Sequence, residues 1–261
     1  MTLANEWRLD RGAVDANAFS GRLGPYRIGR SVRTTASGEV VLALHDQDPR
    51  IVELELLDPI RVQEQDRPVL EQVNHMLGVD HRHVAQILGA GIVDNVIYVA
   101  RIHRLGRTLA QTMVGELGQK ELGPAIAYAV ADALQFLAEA GPRPGACALG
   151  GFDSRDVMLG FDGSITLVGA GLQALRDAQA PLQADRSSLV HFILELDRWL
   201  GTEIAPMVPA NGAPGALAVA LRKTHRDACG QGRASLGAFL RSAFADSLRE
   251  ERAFFGMSTL H

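Results

Sequence analysis

Cysteine is nearly absent from this sequence. The two that occur, Cys147 and Cys229, stand far apart and form no disulfide framework. Neither has a second cysteine or a histidine at metal-ligand spacing, so no metal site is expected from them. Free thiols of this kind fit a reducing, cytoplasmic setting. Long hydrophobic runs are also missing. No stretch approaches the ~18 apolar residues of a membrane span, and the opening MTLANEWRLDRGAVDANAFS has no apolar core of a signal peptide. Charge of one sign is missing as well: the formal net charge is −4, which gives no general attraction to nucleic acid. Aromatic residues are sparse while Ala and Gly are abundant, a composition that suggests a bacterial protein. No Gly-x-Ser-x-Gly nucleophile elbow and no Gly-Lys-Ser/Thr phosphate loop is present. His81 and His83 stand close together, but without Cys or carboxylates at ligand spacing they read as loop or surface histidines.

What is present is an ordinary globular composition, 47% hydrophobic and 21% charged over 261 residues. That is enough for one large core or two modest lobes. Residues 1–24 are polar and read either as an extension that docks on the domain or on a partner, or as a partly ordered tail. From Tyr26 the pattern turns to short strands with turn signals between them: YRIGRSVR, GEVVLALH, then RIVELELLD. Asp66 to Gly78 reads as a helix, followed by two strands over His83–Gly91 and Asn95–Ala100. Glu121 to Ala140 is the clearest helix, with Ile126, Val130, Leu134 and Leu137 as its apolar stripe and Gly141-Pro142 as its stop. Later helices are predicted at Asp185–Leu196, at Ala216–Lys223 and, with Ser235 as cap, over Ser235–Phe254. The last reads mainly as core packing, with Phe254-Phe255 and beyond as the alternative, a partner-binding tail.

The centre is Gly145 to Leu172. Val157–Leu159 and Ile165–Val168 read as two apolar strands joined by Phe161-Asp162-Gly163, where Asp-Gly is a strong hairpin signal. This layout, with the elements before and after it, resembles the bacterial Hanks-type serine/threonine protein kinase family over roughly Tyr26 to Leu248. The resemblance implies an α+β, two-lobed fold: a small antiparallel β-rich N-lobe over 25–105, a mainly helical C-lobe over 106–261, and a shortened activation segment.

Residue by residue, the resemblance shows losses. In the family's Gly-x-Gly-x-x-Gly-x-Val loop, Gly38 matches the third glycine, while Arg33 and Thr35 stand at the first two. Taken alone, Gly38 reads as a turn glycine. Glu55 occupies the position of the phosphate-binding lysine, a charge reversal. Gln72 stands at the glutamate that pairs with that lysine, with Glu71 one place away. Arg101 falls at the gatekeeper, ahead of Ile102 and His103 in the hinge; it either fills the adenine slot or pairs with Glu55. Leu149-Gly150-Gly151 replaces His-Arg-Asp, so Gly151 stands where the catalytic base belongs. Asp156 takes the place of the metal-binding asparagine, and Gly169-Ala170 that of Asp-Phe. Asp153 and Asp156 otherwise read as solvated loop acids or hairpin caps. Asp185 survives as the residue that braces the catalytic loop. Arg233 is set against the arginine that pairs with an Ala-Pro-Glu glutamate, a segment for which Leu172–Ala184 leaves no room.

These departures imply a catalytically inactive homologue, a pseudokinase, that acts as a scaffold or regulator by binding a protein. No cofactor, no metal and no ATP binding are expected. The alternative is a metal-independent nucleotide-binding switch, for which Arg33, Gly38, Arg101 and Asp156 are the candidate residues, or a residual or atypical phosphotransferase.

Overall fold

The computed structural model describes residues 19, 21–34, 38–57, 66–113, 120–142, 144–169 and 181–254. Thr35, Ala170 and the stretch 171–180 lie outside the described residues, as do 1–18, 20 and 255–261 and the side chain of Gln72.

The first half of the chain is an antiparallel sheet. Strands β1 (Gly21–Leu23), β2 (Tyr26–Thr34), β3 (Gly38–His45) and β4 (Asp48–Leu57) follow one another, and the hairpin of β5 (Ile87–Val93) and β6 (Val96–Ile102) completes the order β1-β2-β3-β4-β6-β5. Asp94 and Asn95 turn that hairpin with φ of 51° and 63°, the left-handed conformation that two-residue hairpin loops favour. Helix α1 (Asp66–Met76) crosses between β4 and β5, ending two residues before the predicted Gly78. Alternation gives the sheet two faces. On one, Val41, Ala43, Val52, Leu54 and Ala100 pack with Leu23 and Tyr26. On the other, Leu57, Ile97 and Val99 join Val73 and Met76 of α1 in the main core. Phe19, only 4% exposed, packs on Leu42 and Leu44, so the end of the N-terminal extension is part of the folded body.

The second half is helical around one short sheet. Strands β7 (Gly106–Thr108), β8 (Val157–Gly160) and β9 (Ile165–Leu167) form it, with Gly163 at φ +81° in the predicted Asp-Gly turn. Thr108 caps α2 (Leu109–Thr112) in a reciprocal box with Gln111. Helix α3 (Leu122–Glu139) is the axis: Ile126, Val130, Leu134 and Leu137 are buried as the periodicity predicts, and the helix packs against α4 (Pro181–Leu200), α5 (Pro214–Thr224) and α6 (Arg226–Ala243). A buried leucine or isoleucine stabilises by roughly 1.5–3 kcal/mol, so this stripe is a main source of C-lobe stability.

The last predicted helix is corrected. Two helices stand there, α6 and α7 (Ala245–Phe254), separated at Phe244 with φ −122° and ψ 37°. Ser235 lies inside α6 and caps nothing. Two glycines of α6 serve close packing. A Cβ on Gly232 would come 2.7 Å from Cβ of Ala125 in α3, and one on Gly237 would come 2.9 Å from N of Gly163 in the hairpin turn. Arg233 is likewise on α6, where it pairs with Asp162 of that turn at 2.6 Å.

Candidate functional site

The two lobes meet along the cleft-side face of the N-lobe sheet. Residues that pair directly across antiparallel strands share a face, and the register sets Arg33 opposite Val40, Val40 opposite Glu55, Leu42 opposite Glu53, and Glu53 opposite Arg101. Two arginines and two glutamates are thereby gathered on one apolar face.

They form two ion pairs. Arg101 Nη1 donates to Glu55 Oε2 at 2.6 Å, with side chains 1% and 2% exposed. Of the two alternatives for Arg101, the structure therefore realises the pairing with Glu55. Among the described residues, Arg101 Nε and Nη2 are buried without a hydrogen-bond partner. Arg33 Nη2 donates to Glu53 Oε2 at 2.7 Å, and His103 Nδ1 lies 3.0 Å from Glu53 Oε1. Burial alone would raise the Glu53 carboxyl, but the Arg33 guanidinium and the two hydrogen bonds override it and hold the group at about 2, against an ordinary 4.5.

This fixes a pH dependence. A carboxylate held below its ordinary value contributes stability that is present above pH 4.5 and is lost as pH falls towards 2. The shift corresponds to roughly 3 kcal/mol. Urea unfolding of the native chain and of Glu53→Gln between pH 7 and pH 2 is expected to give stabilities that differ at neutral pH and converge in acid. A difference independent of pH would remove the Glu53 network as its source.

Gly38 has a packing role. A Cβ there would lie 1.9 Å from the Leu56 carbonyl oxygen, so β3 and β4 meet in this register only with glycine at that position. In α1, Val73 and Met76 face the core and Glu71 is exposed.

Below the sheet lies the loop that precedes β8. Asp185 on α4 accepts from N–H of Leu149 at 2.9 Å and from N–H of Gly151 at 2.7 Å, the bracing expected of it. Ser188, almost one turn further along α4, accepts from N–H of Phe152 at 3.2 Å. Gly150 and Gly151 have φ of +73° and +106°. The loop then closes on itself: Asp156 Oδ2 accepts from N–H of Asp153, the backbone N–H of Asp156 returns a bond to the Asp153 carbonyl, and Asp153 pairs with Arg155 at 2.5 Å. Asp156 is thus the cap of its own turn, and Gly169 follows Val168, whose N–H donates to the Asp156 carbonyl. Among the described residues no group of three or more His, Cys, Asp or Glu is arranged to hold a metal ion.

His81 and His83 differ from simple surface histidines. His81 stacks on Phe136 and approaches Asp132 at 3.4 Å, while His83 Nδ1 lies 2.8 Å from the Ile165 carbonyl. Burial lowers the His83 imidazole to about 4. Both join β9 and α3 to the segment that precedes β5.

Between the sheet and the C-lobe a cavity of about 180 Å³ remains on the hinge side. Arg33, Glu53 and His103 of the N-lobe, Met158 of β8, and Glu250 and Glu251 of α7 line it. Sequence reasoning missed Glu53 and α7 as parts of this site. The signal for Glu53 was available, because it lies two residues before Glu55 on the same face of β4.

The topology has close counterparts among solved structures. Crystal structures of the Mycobacterium tuberculosis PknI kinase domain match this chain with a TM-score of 0.65 at 18% identity, covering 79% of this chain and 98% of that one. A second such structure gives 0.63 at 19% with the same coverage. A third gives 0.60 at 20%, covering 89% of this chain and 98% of that one. No protein-family profile and no curated protein matches the sequence. Among the described residues no helix is long and apolar enough to cross a membrane. The strand order, the Asp185-braced loop and this structural likeness together give the chain the two-lobed α+β fold of bacterial protein kinase domains.

Proposed function

We propose that this protein is a catalytically inactive kinase homologue, a pseudokinase, that acts as a scaffold or regulator by binding another protein in the cytoplasm. The observation that carries the reading is the buried Arg101–Glu55 pair. It neutralises, from within the chain, the position at which the family's fold uses a lysine for the α- and β-phosphates. Phosphoryl transfer depends on positioning and on cations that neutralise developing charge. Here Glu55 is the wrong sign, Gly151 and Gly169 carry no acid, and Asp156 caps its own turn. The switch reading has less support, because its anion-attracting candidate, Arg33, is engaged by Glu53. On this reading the chain comprises an extension over 1–24, an N-lobe over 25–105 and a C-lobe over 106–261, with the surface rather than the cleft as the working part.

Thermal unfolding with ATP, with ADP and without nucleotide, each with and without magnesium, tests it. A ligand at 100 times its dissociation constant stabilises by about 2.7 kcal/mol, a shift easily read. No shift at millimolar nucleotide is the expected result. A shift without magnesium would replace this proposal by the nucleotide switch, and one that requires magnesium would replace it by a residual phosphotransferase.

A further inference from the structure

We infer that α7 is an intramolecular strap that governs entry to the hinge-side cavity and ties the two lobes together. The helix is ten residues long and is anchored in both lobes. Its middle belongs to the C-lobe, where Leu248 is 7% exposed in the main core. Its tip belongs to the N-lobe: Phe254 packs against Phe19, Leu42 and Leu44 on the cleft-side face of the sheet, its ring 5.7 Å from that of Phe19. The Arg30 guanidinium lies 4.6 Å from the centre of the Phe254 ring, a cation–π contact that adds to the anchor.

Between these anchors the polar side of α7 faces the cavity. Ser247, Glu250 and Glu251 line it together with Met158 of β8. Glu251 stands near the guanidinium groups of Arg107 and Arg30 and near His103, with Glu53 as the opposing charge. The chain thus places two carboxylates of its own helix, Glu250 and Glu251, in the lining of the hinge-side cavity.

The geometry also provides a pivot. The helical path is interrupted at Phe244, and α6 on the near side is held by the Gly232–Ala125 and Gly237–Gly163 approaches. Among the described residues, α7 is anchored by Leu248 on the C-lobe and by Phe254 on the N-lobe. An element anchored at two points opens at lower free energy than the whole domain. Swinging α7 about Phe244 uncovers the cavity while α3, α5 and α6 stay packed.

Hydrogen exchange on the native chain and on Phe254→Ala tests the strap, and labelling of the thiol in Met158→Cys, with and without Phe254→Ala, gives a second reading. The experiment contains no nucleotide, so its outcome is separate from that of the pseudokinase reading. With Phe254→Ala, amides of α7 and of residues 103–108 are expected to exchange about tenfold faster while those of α3 stay unchanged. The Met158→Cys thiol, located by peptide mapping against Cys147 and Cys229, is expected to react about tenfold faster in the same background. Faster exchange confined to α7, with unchanged hinge amides and an unchanged labelling rate, would overturn the inference. Unchanged exchange in α7 itself would overturn it too.

Discussion

Arg101→Ala is expected to destabilise the chain by about 3–5 kcal/mol, because it leaves the buried Glu55 carboxylate without its guanidinium. Glu55→Ala is expected to cost a similar amount by stranding the guanidinium. Replacing both together, as Arg101→Met with Glu55→Leu, is expected to be neutral or stabilising by about 1–4 kcal/mol. The asymmetry has a physical origin. Desolvating two ions consumes most of their attraction, and among the described residues Arg101 Nε and Nη2 are buried without hydrogen-bond partners even in the native pair. Denaturant unfolding of Arg101→Met, of Glu55→Leu and of the double variant that combines them forms a cycle that isolates the coupling. Additive losses in the double variant would mean that the pair contributes as two independent residues. A double variant as stable as the native chain would mean that the pair is retained for something other than stability, which accords with a cleft kept closed to anions.

Asp185→Ala is the second substitution with a large expected effect, about 2–4 kcal/mol. The carboxylate takes one bond from the N–H of Leu149 and one from that of Gly151, and its loss leaves two donors in the interior without their acceptor. Asp185→Asn retains one acceptor oxygen and is expected to lose about half as much. Urea unfolding gives the magnitude, and hydrogen exchange gives the location: Leu149 and Gly151 amides are expected to lose protection first. Equal losses for Ala and Asn would indicate that the negative charge, rather than the number of acceptors, holds the loop.

The legible parts of this chain are those whose local chemistry already agrees with their tertiary setting. The Asp162-Gly163 turn, the α3 stripe and the Gly141 stop each carry their own signal, and each stands where its sequence places it. Glu55 and Arg101 were legible as a pair because buried charges need partners. The failures arise where a residue serves a neighbour remote in sequence. Gly232 weakens a helix locally, ahead of the Ser235 at which the last helix is predicted to begin; only the approaches of α3 to Gly232 and of the hairpin turn to Gly237 explain why small residues stand there. The interruption at Phe244 has no proline or glycine to announce it. Phe19 and Phe254 are ordinary apolar residues near the two ends of the chain, and nothing local indicates that they meet. Glu53 needed the register of three strands before its partners on β2 and after β6 came into view.

The backbone at Gly150-Gly151 has a consequence on an evolutionary timescale. At φ +106° the second glycine occupies a conformation that side-chain-bearing residues rarely adopt. A single base change can convert a glycine codon to one for aspartate, yet the new carboxylate would arrive on a strained main chain, at about 1–3 kcal/mol. The loop would have to be rebuilt first, and while Asp185 grips its amides there is little reason for it to move. An acid at 151 would therefore come at a cost in stability for as long as this backbone is kept, and the architecture itself holds the position to glycine.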